Sequence, residues 1–460
     1  MSDRGTQSLS QRVLAASAGR DRVIDFVKSA ALMLVVLGHS LAWFLVPSGG
    51  IDNTLNHAPQ LWWLTWLLQI LPLFFYIAGT GFARLASDGS TARYLARAYG
   101  LLEPAAGLFL FAVLVATVTR FTSEVSLQRT LGTLLVQLTW FLGVYLVLVA
   151  LAPLLTRMHR VGAVVVLMLA IVGVDIARLH VMSGLGWLNM VLVWALFAVL
   201  GTHHERLRRM RWGWQLSAAG LCVSAAAALI AFGPYAKAMI TATAIPGVSN
   251  LAPPSVVLAC VGVAQVFLLL AAWPLLQRWL ARDSVWVPVA VFGSRAMQVY
   301  LYHLVFLIVF ISPLFAWSIT TAALSASWWW QHVLVFVCTL TASLTAAPML
   351  RRCSRWLAQV LLGGLWPRTW AAKFQAMPPT AARSIIAAVG VLILVQSATG
   401  VGDYLTSRSV VGVPVYPLVT WLLIMLATSV VSSATAVALC TSIRTPTAAM
   451  IDRAAVGGIA

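Results

Sequence analysis

The chain is 460 residues long, 61% hydrophobic and only 9% charged, whereas soluble domains are roughly half apolar and about a quarter charged. That composition excludes a soluble globular protein and predicts an all-α, polytopic transmembrane bundle. The 30 Lys and Arg against 12 Asp and Glu leave a net charge of +18, which would suggest nucleic acid in a soluble protein but has to be placed along the chain before it means anything here.

Residues 1–22 are polar, so a cleaved secretory signal is not expected ahead of the first apolar run. Crossing the hydrocarbon core takes about 20 apolar residues as a helix. Twelve runs qualify: 23–46, 61–83, 99–119, 131–153, 161–178, 186–202, 213–235, 253–276, 286–312, 328–350, 384–400 and 416–441. The predicted layout is a tail (1–22), a ten-helix core (23–350), a basic linker lying on the membrane surface (351–383), two added helices (384–441) and a second tail (442–460). An even number of spans puts both termini on one side. With the N-terminus inside, 23 of the 30 basic residues fall in inner segments and five in outer loops, while Lys28 and Arg295 lie within spans. The positive-inside rule then makes both termini cytoplasmic, in a multi-pass protein of the cytoplasmic (inner) membrane. Trp62, Trp63 and Trp66 open the second span and Trp328, Trp329 and Trp330 the tenth, as headgroup anchors do. Four of the five cysteines sit in apolar runs, which fits neither a disulfide framework nor a zinc pattern. No metal is expected, and His203 and His204 read as part of a solvated loop.

Ionisable residues inside spans are costly and mark functional candidates. The first span carries Asp25, Lys28 and His39. Eleven residues separate Lys28 from His39, three turns plus about 20°, so they share a helix face about 16 Å apart along the axis. The ninth span carries Arg295 and His303, and His303 matches His39 in depth. Two histidines at one level on separate helices can converge on a cavity, where an imidazole serves as base or nucleophile near neutral pH; alternatively each only bridges neighbouring helices. Arg84, Arg93 and Arg97 precede the third span, with Glu103 just inside it as a partner for Lys28 or Arg295. Gln137, Trp140, Asp175, Arg178 and Asn189 fall in the outer half. A basic inner mouth, a deep base and a polar outer vestibule suit a transporter, and equally an enzyme joining reactants from opposite faces.

At these residues the sequence resembles the membrane acyltransferase 3 family, whose first helix reads roughly Asp-Gly-Leu-Arg, then an apolar run ending in His. Ile24-Asp25-Phe26-Val27-Lys28 and His39 reproduce those spacings. Pro72 to Gly79 is similar to the family's Pro-Leu-Phe-Phe-x-x-Ser-Gly, with Ala78 in place of Ser. Arg93 and Arg97 ahead of Pro104, Trp140-Phe141-Leu142, Asp175 with Arg178, Asn250 to Pro254, and Tyr300 to His303 also find counterparts, in order, over about residues 20–350.

The resemblance implies a ten-helix O-acyltransferase that moves an acetyl or other short acyl group from cytoplasmic acyl-CoA to a hydroxyl of an extracytoplasmic sugar, glycolipid or cell-envelope polysaccharide. It implies no bound cofactor, only acyl-CoA as co-substrate, with membrane lipids and no nucleic acid as partners. His39 and His303 are the expected catalytic residues. Lys28, Arg93, Arg97 and Arg295 are expected to bind acyl-CoA, and Asp175, Arg178, Asn189 and Trp140 the acceptor. Lys28 replaces the family's arginine, keeping the charge but losing the bidentate fork, so its role can pass to Arg22 or Arg295. The alternative from another class is a transporter or flippase for an anionic or glycolipid substrate.

Overall fold

The computed structural model describes residues 9–46, 50–122, 134–158, 161–357, 377–399, 408–410 and 413–415. Short helix α1 (Leu9–Ala16) precedes the first long one, α2 (Arg22–Leu41). Asp21 starts α2 by accepting hydrogen bonds from the backbone N–H groups of Val23 and Ile24, two of the donors that a helix start leaves unpaired. The helix stops at Leu41, five residues short of the predicted span. Trp43–Leu45 instead forms strand β1, antiparallel to β2 (Ile51–Asn53), and α3 (Thr54–His57) follows. The chain turns because its carbonyls find other partners: Thr54 N–H donates to Ala42 O, and Thr54 Oγ1 to Trp43 O.

The second predicted span is broken. A 3₁₀ turn (Pro59–Trp63) leads into α4 (Leu64–Leu68), and after Gln69 and Ile70 the chain resumes as α5 (Leu71–Thr80) and α6 (Phe82–Asp88). Pro72, in the first turn of α5, has no N–H to continue the ladder. In hydrocarbon the freed carbonyls must be satisfied inside the protein, and Gln265 does this, its Nε2 donating to Trp66 O and Gln69 O at 3.0 Å each.

The remaining helices are α7 (Thr91–Thr122), α8 (Thr139–Arg157), α9 (Val161–His180), α10 (Asn189–Thr202), α11 (His204–Arg208), α12 (Trp212–Phe232), α13 (Val256–Leu280), α14 (Asp283–Ala316), α15 (Ala326–Leu357) and α16 (Pro379–Thr399). Ten helical segments among the described residues are long and apolar enough to cross a membrane; each overlaps a predicted span, and α7 covers the predicted third. The predicted twelfth span, 416–441, and residues 358–376 of the linker lie outside the described residues. Among the described residues the bundle is thus all-α apart from two short antiparallel strand pairs, the second being β3 (Arg408–Val410) with β4 (Val413–Val415).

Glycines set the closest approaches. A Cβ on Gly79 of α5 would run into Ala198 O of α10, and one on Gly201 into Tyr76 O, so the two backbones touch as small-residue crossings in membranes do. Across α8 and α16, a Cβ on Gly143 would lie 2.7 Å from Gly390 O, and one on Gly390 2.7 Å from Gly143 O. With Ile386, Val389 and Ile393 buried in the core, α16 is packed into the bundle rather than set beside it. Between α5, α8 and α10, Phe75 stacks on fully buried Trp194 at 4.9 Å and meets Phe141 at 4.8 Å.

His204 departs from its predicted solvated loop. It is buried, its ring is 4.6 Å from that of Trp273, and its Nδ1 meets the Tyr76 hydroxyl at 2.7 Å. Burial holds this imidazole below its ordinary value, because a desolvated ring resists charging.

Two outcomes follow for stability in detergent. Gly79→Ala should cost ~1–3 kcal/mol through overpacking and so lower the thermal midpoint, while Gly220→Ala, whose Cβ meets nothing within 4 Å, should not. Because the unfolded His204 takes up a proton near pH ~6.5 and the folded one only at lower pH, its contribution is present above that value and is lost on acidification. The drop in midpoint between pH 7 and pH 5 should therefore be smaller in His204→Phe than in the parent protein.

Candidate active site

The two histidines that the sequence sets at one depth meet. His39, one turn from the end of α2, and fully buried His303 of α14 have ring centroids 5.2 Å apart, inclined at 46°. His303 Nε2 lies 3.3 Å from His39 Nδ1.

The surrounding carbonyls fix where the protons are, since a carbonyl only accepts. His303 Nδ1 faces Tyr300 O at 2.8 Å and Val299 O at 3.0 Å, so Nδ1 carries the hydrogen and Nε2 the lone pair. His39 Nδ1 faces Val35 O at 2.9 Å as well as that lone pair, so its hydrogen is also on Nδ1. The assignment rests on the acceptors, which is how a tautomer is set. What remains is the lone pair on His39 Nε2, which no hydrogen bond engages among the described residues. Tyr300 extends the support: its carbonyl holds His303, its ring lies 5.5 Å from Phe141, and its hydroxyl donates to Leu138 O ahead of α8.

At the other end of α2, buried Asp25 gathers cations. Its Oδ2 is 2.7 Å from Arg20 Nε and its Oδ1 3.6 Å from Lys28 Nζ, and Arg97 stands close enough for its charge to act on Lys28. Arg97 donates to the Tyr145 hydroxyl and lies over that ring at 5.5 Å. Arg93, on the exposed face of α7, pairs with Asp88 at 2.9 Å. Arg22 is used elsewhere, donating to Leu280 O and pairing with Asp283. Arg295 turns to α15, where it donates to Leu344 O at 3.3 Å. Glu103 partners neither Lys28 nor Arg295; its nearest cation is Arg355, at 4.0 Å.

The residues expected to bind the acceptor are sealed instead of open. Asp175, Arg178 and Asn189 are 1%, 7% and 0% exposed. The Asp175 carboxylate accepts from Val256 N at 2.7 Å, Tyr235 OH at 3.0 Å and Asn189 Nδ2 at 3.1 Å, and sits 3.1 Å from Arg178 Nε. Arg178 also donates to Pro253 O. Burial first, and then the Asp175 charge, push the Tyr235 phenol up, so it stays a donor. This network fastens the ends of α9, α10 and α13 and the loop between α12 and α13, and a ligand cannot reach it without opening them. Tyr235 carried no sequence signal, because it lies in a loop sixty residues from its partner. Partly buried Trp140 packs 5.8 Å from Trp194 and 6.2 Å from Phe141.

His332 is a buried histidine that the span count passed over. Its ring lies between those of Trp43, at 4.3 Å, and Trp328, at 4.0 Å, and its nitrogens meet the carbonyls of the same two residues. It pins the strand after His39 to α15. Among the described residues, no group of three or more His, Cys, Asp or Glu is placed to hold a metal ion.

Taken together, the site is a free imidazole nitrogen backed by a second imidazole, on the same helix face as a distant cluster of cations. No curated protein and no solved structure matches the chain. A family model described as an acyltransferase domain matches residues 21–348, a stretch that holds both histidines and the Asp25 cluster. The chain belongs to the acyltransferase 3 family and is a multi-pass membrane acyltransferase.

Proposed function

We propose that the protein is an O-acyltransferase of the cytoplasmic membrane. It takes an acetyl or other short acyl group from cytoplasmic acyl-CoA and esterifies a hydroxyl of an extracytoplasmic sugar, glycolipid or envelope polysaccharide. The observation that carries this reading is the unengaged His39 Nε2, with His39 Nδ1 held 3.3 Å from His303 Nε2, at the opposite end of α2 from Lys28.

The polyanionic part of CoA cannot enter hydrocarbon and stays with Lys28, Arg93 and Arg97. The thin pantetheine arm carries the thioester along the helix face, over the roughly 16 Å between Lys28 and His39. Lysine suits this as a point charge, while Arg97, already fixed against Tyr145, presents its remaining N–H groups.

At the far end, His39 Nε2 takes the proton of the acceptor hydroxyl as its oxygen attacks the thioester carbon. The tetrahedral intermediate then expels the CoA sulfur, which receives the same proton from Nε2. The products are the ester and CoA–SH, and His39 returns to its starting tautomer. While His39 is charged, its Nδ1–H remains shared between Val35 O and His303 Nε2, two acceptors that stabilise the imidazolium and keep Nε2 aimed. His303 is thus the positioning group that a carboxylate supplies in other base dyads. Asp175, Arg178 and Asn189 keep a structural part, and Trp140 forms part of the wall beside Phe141.

Inverted vesicles supplied with labelled acetyl-CoA should transfer label to carbohydrate or glycolipid. His39→Ala should lose the 10²–10⁴-fold, in order of magnitude, that a positioned base contributes. His303→Ala should lose less in kcat and leave the KM for acetyl-CoA unchanged, and Arg97→Ala should raise that KM. Undiminished transfer in His39→Ala overturns the role assigned to His39. Substrate movement without acetyl-CoA consumption would establish the transporter alternative instead.

A further inference from the structure

With Asp175, Arg178 and Asn189 sealed, recognition of the acceptor calls for polar groups that remain open, and the segment that follows His39 carries two. Phe44 of β1 pairs across the hairpin with Asp52 of β2, and α3 folds His57 back over Phe44, the two rings stacked at 4.1 Å and 16°. His57 Nε2 meets Asp52 Oδ2 at 2.9 Å. The other carboxylate oxygen accepts from Asn53 N at 2.6 Å and Asn56 Nδ2 at 2.9 Å.

These contacts define a chemical state. The Asn53 backbone N–H, then the Asn56 amide, hold the Asp52 carboxyl below its ordinary range, so it is ionised at neutral pH. An ionised carboxylate only accepts, so His57 donates to it through Nε2 and turns Nδ1 away from it. The two side chains are 42% and 29% exposed.

The segment is also held in place. Asn53 Nδ2 donates to Thr241 O and Ala244 N to Asn56 Oδ1, while Thr54 N–H reaches Ala42 O, three residues beyond His39. A fixed carboxylate beside an oriented imidazole, backed by an aromatic ring, offers adjacent hydrogen-bonding groups to a pair of neighbouring hydroxyl groups. Neighbouring hydroxyls are what a sugar presents.

We propose that Asp52 and His57 form the acceptor subsite and bind the hydroxyls of a carbohydrate, holding a further hydroxyl towards His39. This rests on the acyl-transfer reading above and names the acceptor side of that site. An exposed side-chain contact of this kind adds little to stability, so removing it should leave the fold intact.

The test uses the full-length protein in vesicles of its host membrane, with labelled acetyl-CoA as the probe and label counted separately in carbohydrate, in other lipid and in protein. Asp52→Asn and His57→Phe, the latter retaining the stack on Phe44, should each lose about tenfold or more of the label in carbohydrate, the cost of a hydrogen bond to a charged or oriented acceptor. The KM for acetyl-CoA and the thermal midpoint should stay at the parent values. Parental transfer in both variants overturns the subsite and leaves the role of His39 standing. Label confined to protein or to sugar-free lipid overturns the carbohydrate assignment. Absence of His39-dependent transfer in the parent overturns the function, and the subsite with it.

Discussion

Hydrocarbon offers no hydrogen bonds, so every polar group that this bundle places in it must find a partner within the protein. That requirement shapes the fold at three points. The break in the second span stands because Gln265 takes up the two carbonyls it frees. The Asp175 carboxylate stands because three donors and the Arg178 guanidinium surround it. The two histidines stand because three carbonyls and one imidazole nitrogen take up their two protons.

In the last case the atom left over belongs to a partly open side chain, His39. The cluster around Asp175 ties helices together and is sealed from any ligand, its side chains being buried. The histidine pair satisfies three of its four ring nitrogens and leaves His39 Nε2 with an unused lone pair. The two clusters thus differ in exposure, one sealed and the other partly open. His303 is fully buried, while His39 stays partly open.

Close packing serves the same end. Gly79 against Ala198 and Gly201 against Tyr76 bring α5 and α10 into backbone contact, and the aromatic layer of Phe75, Phe141 and Trp194 beside them reaches Tyr300, whose carbonyl holds His303. On the other side of α8, Gly143 and Gly390 seat α16, so a helix outside the family match lies against the helix that supplies Tyr145 to Arg97. Arg97 and the histidine pair are thus braced by one helix, α8.

Apolar run length alone determined where the membrane helices lie, because about 20 residues must be apolar to cross, and helical periodicity placed Lys28 and His39 on one face. Matched depth singled out His39 with His303, since two positions on separate helices can be compared by counting residues from their ends. Run length could not reveal that α2 stops at Leu41 or that the second span breaks at Gln69, as both depend on hydrogen bonds from Thr54 and Gln265, residues distant in sequence or beyond a turn. Nor could it separate Asp175, which is sealed, from Asp52, which is open. A carboxylate's accessibility is decided by the elements that the tertiary structure packs over it: four close over Asp175, while Asp52 takes its donors from β2 and α3 and stays open.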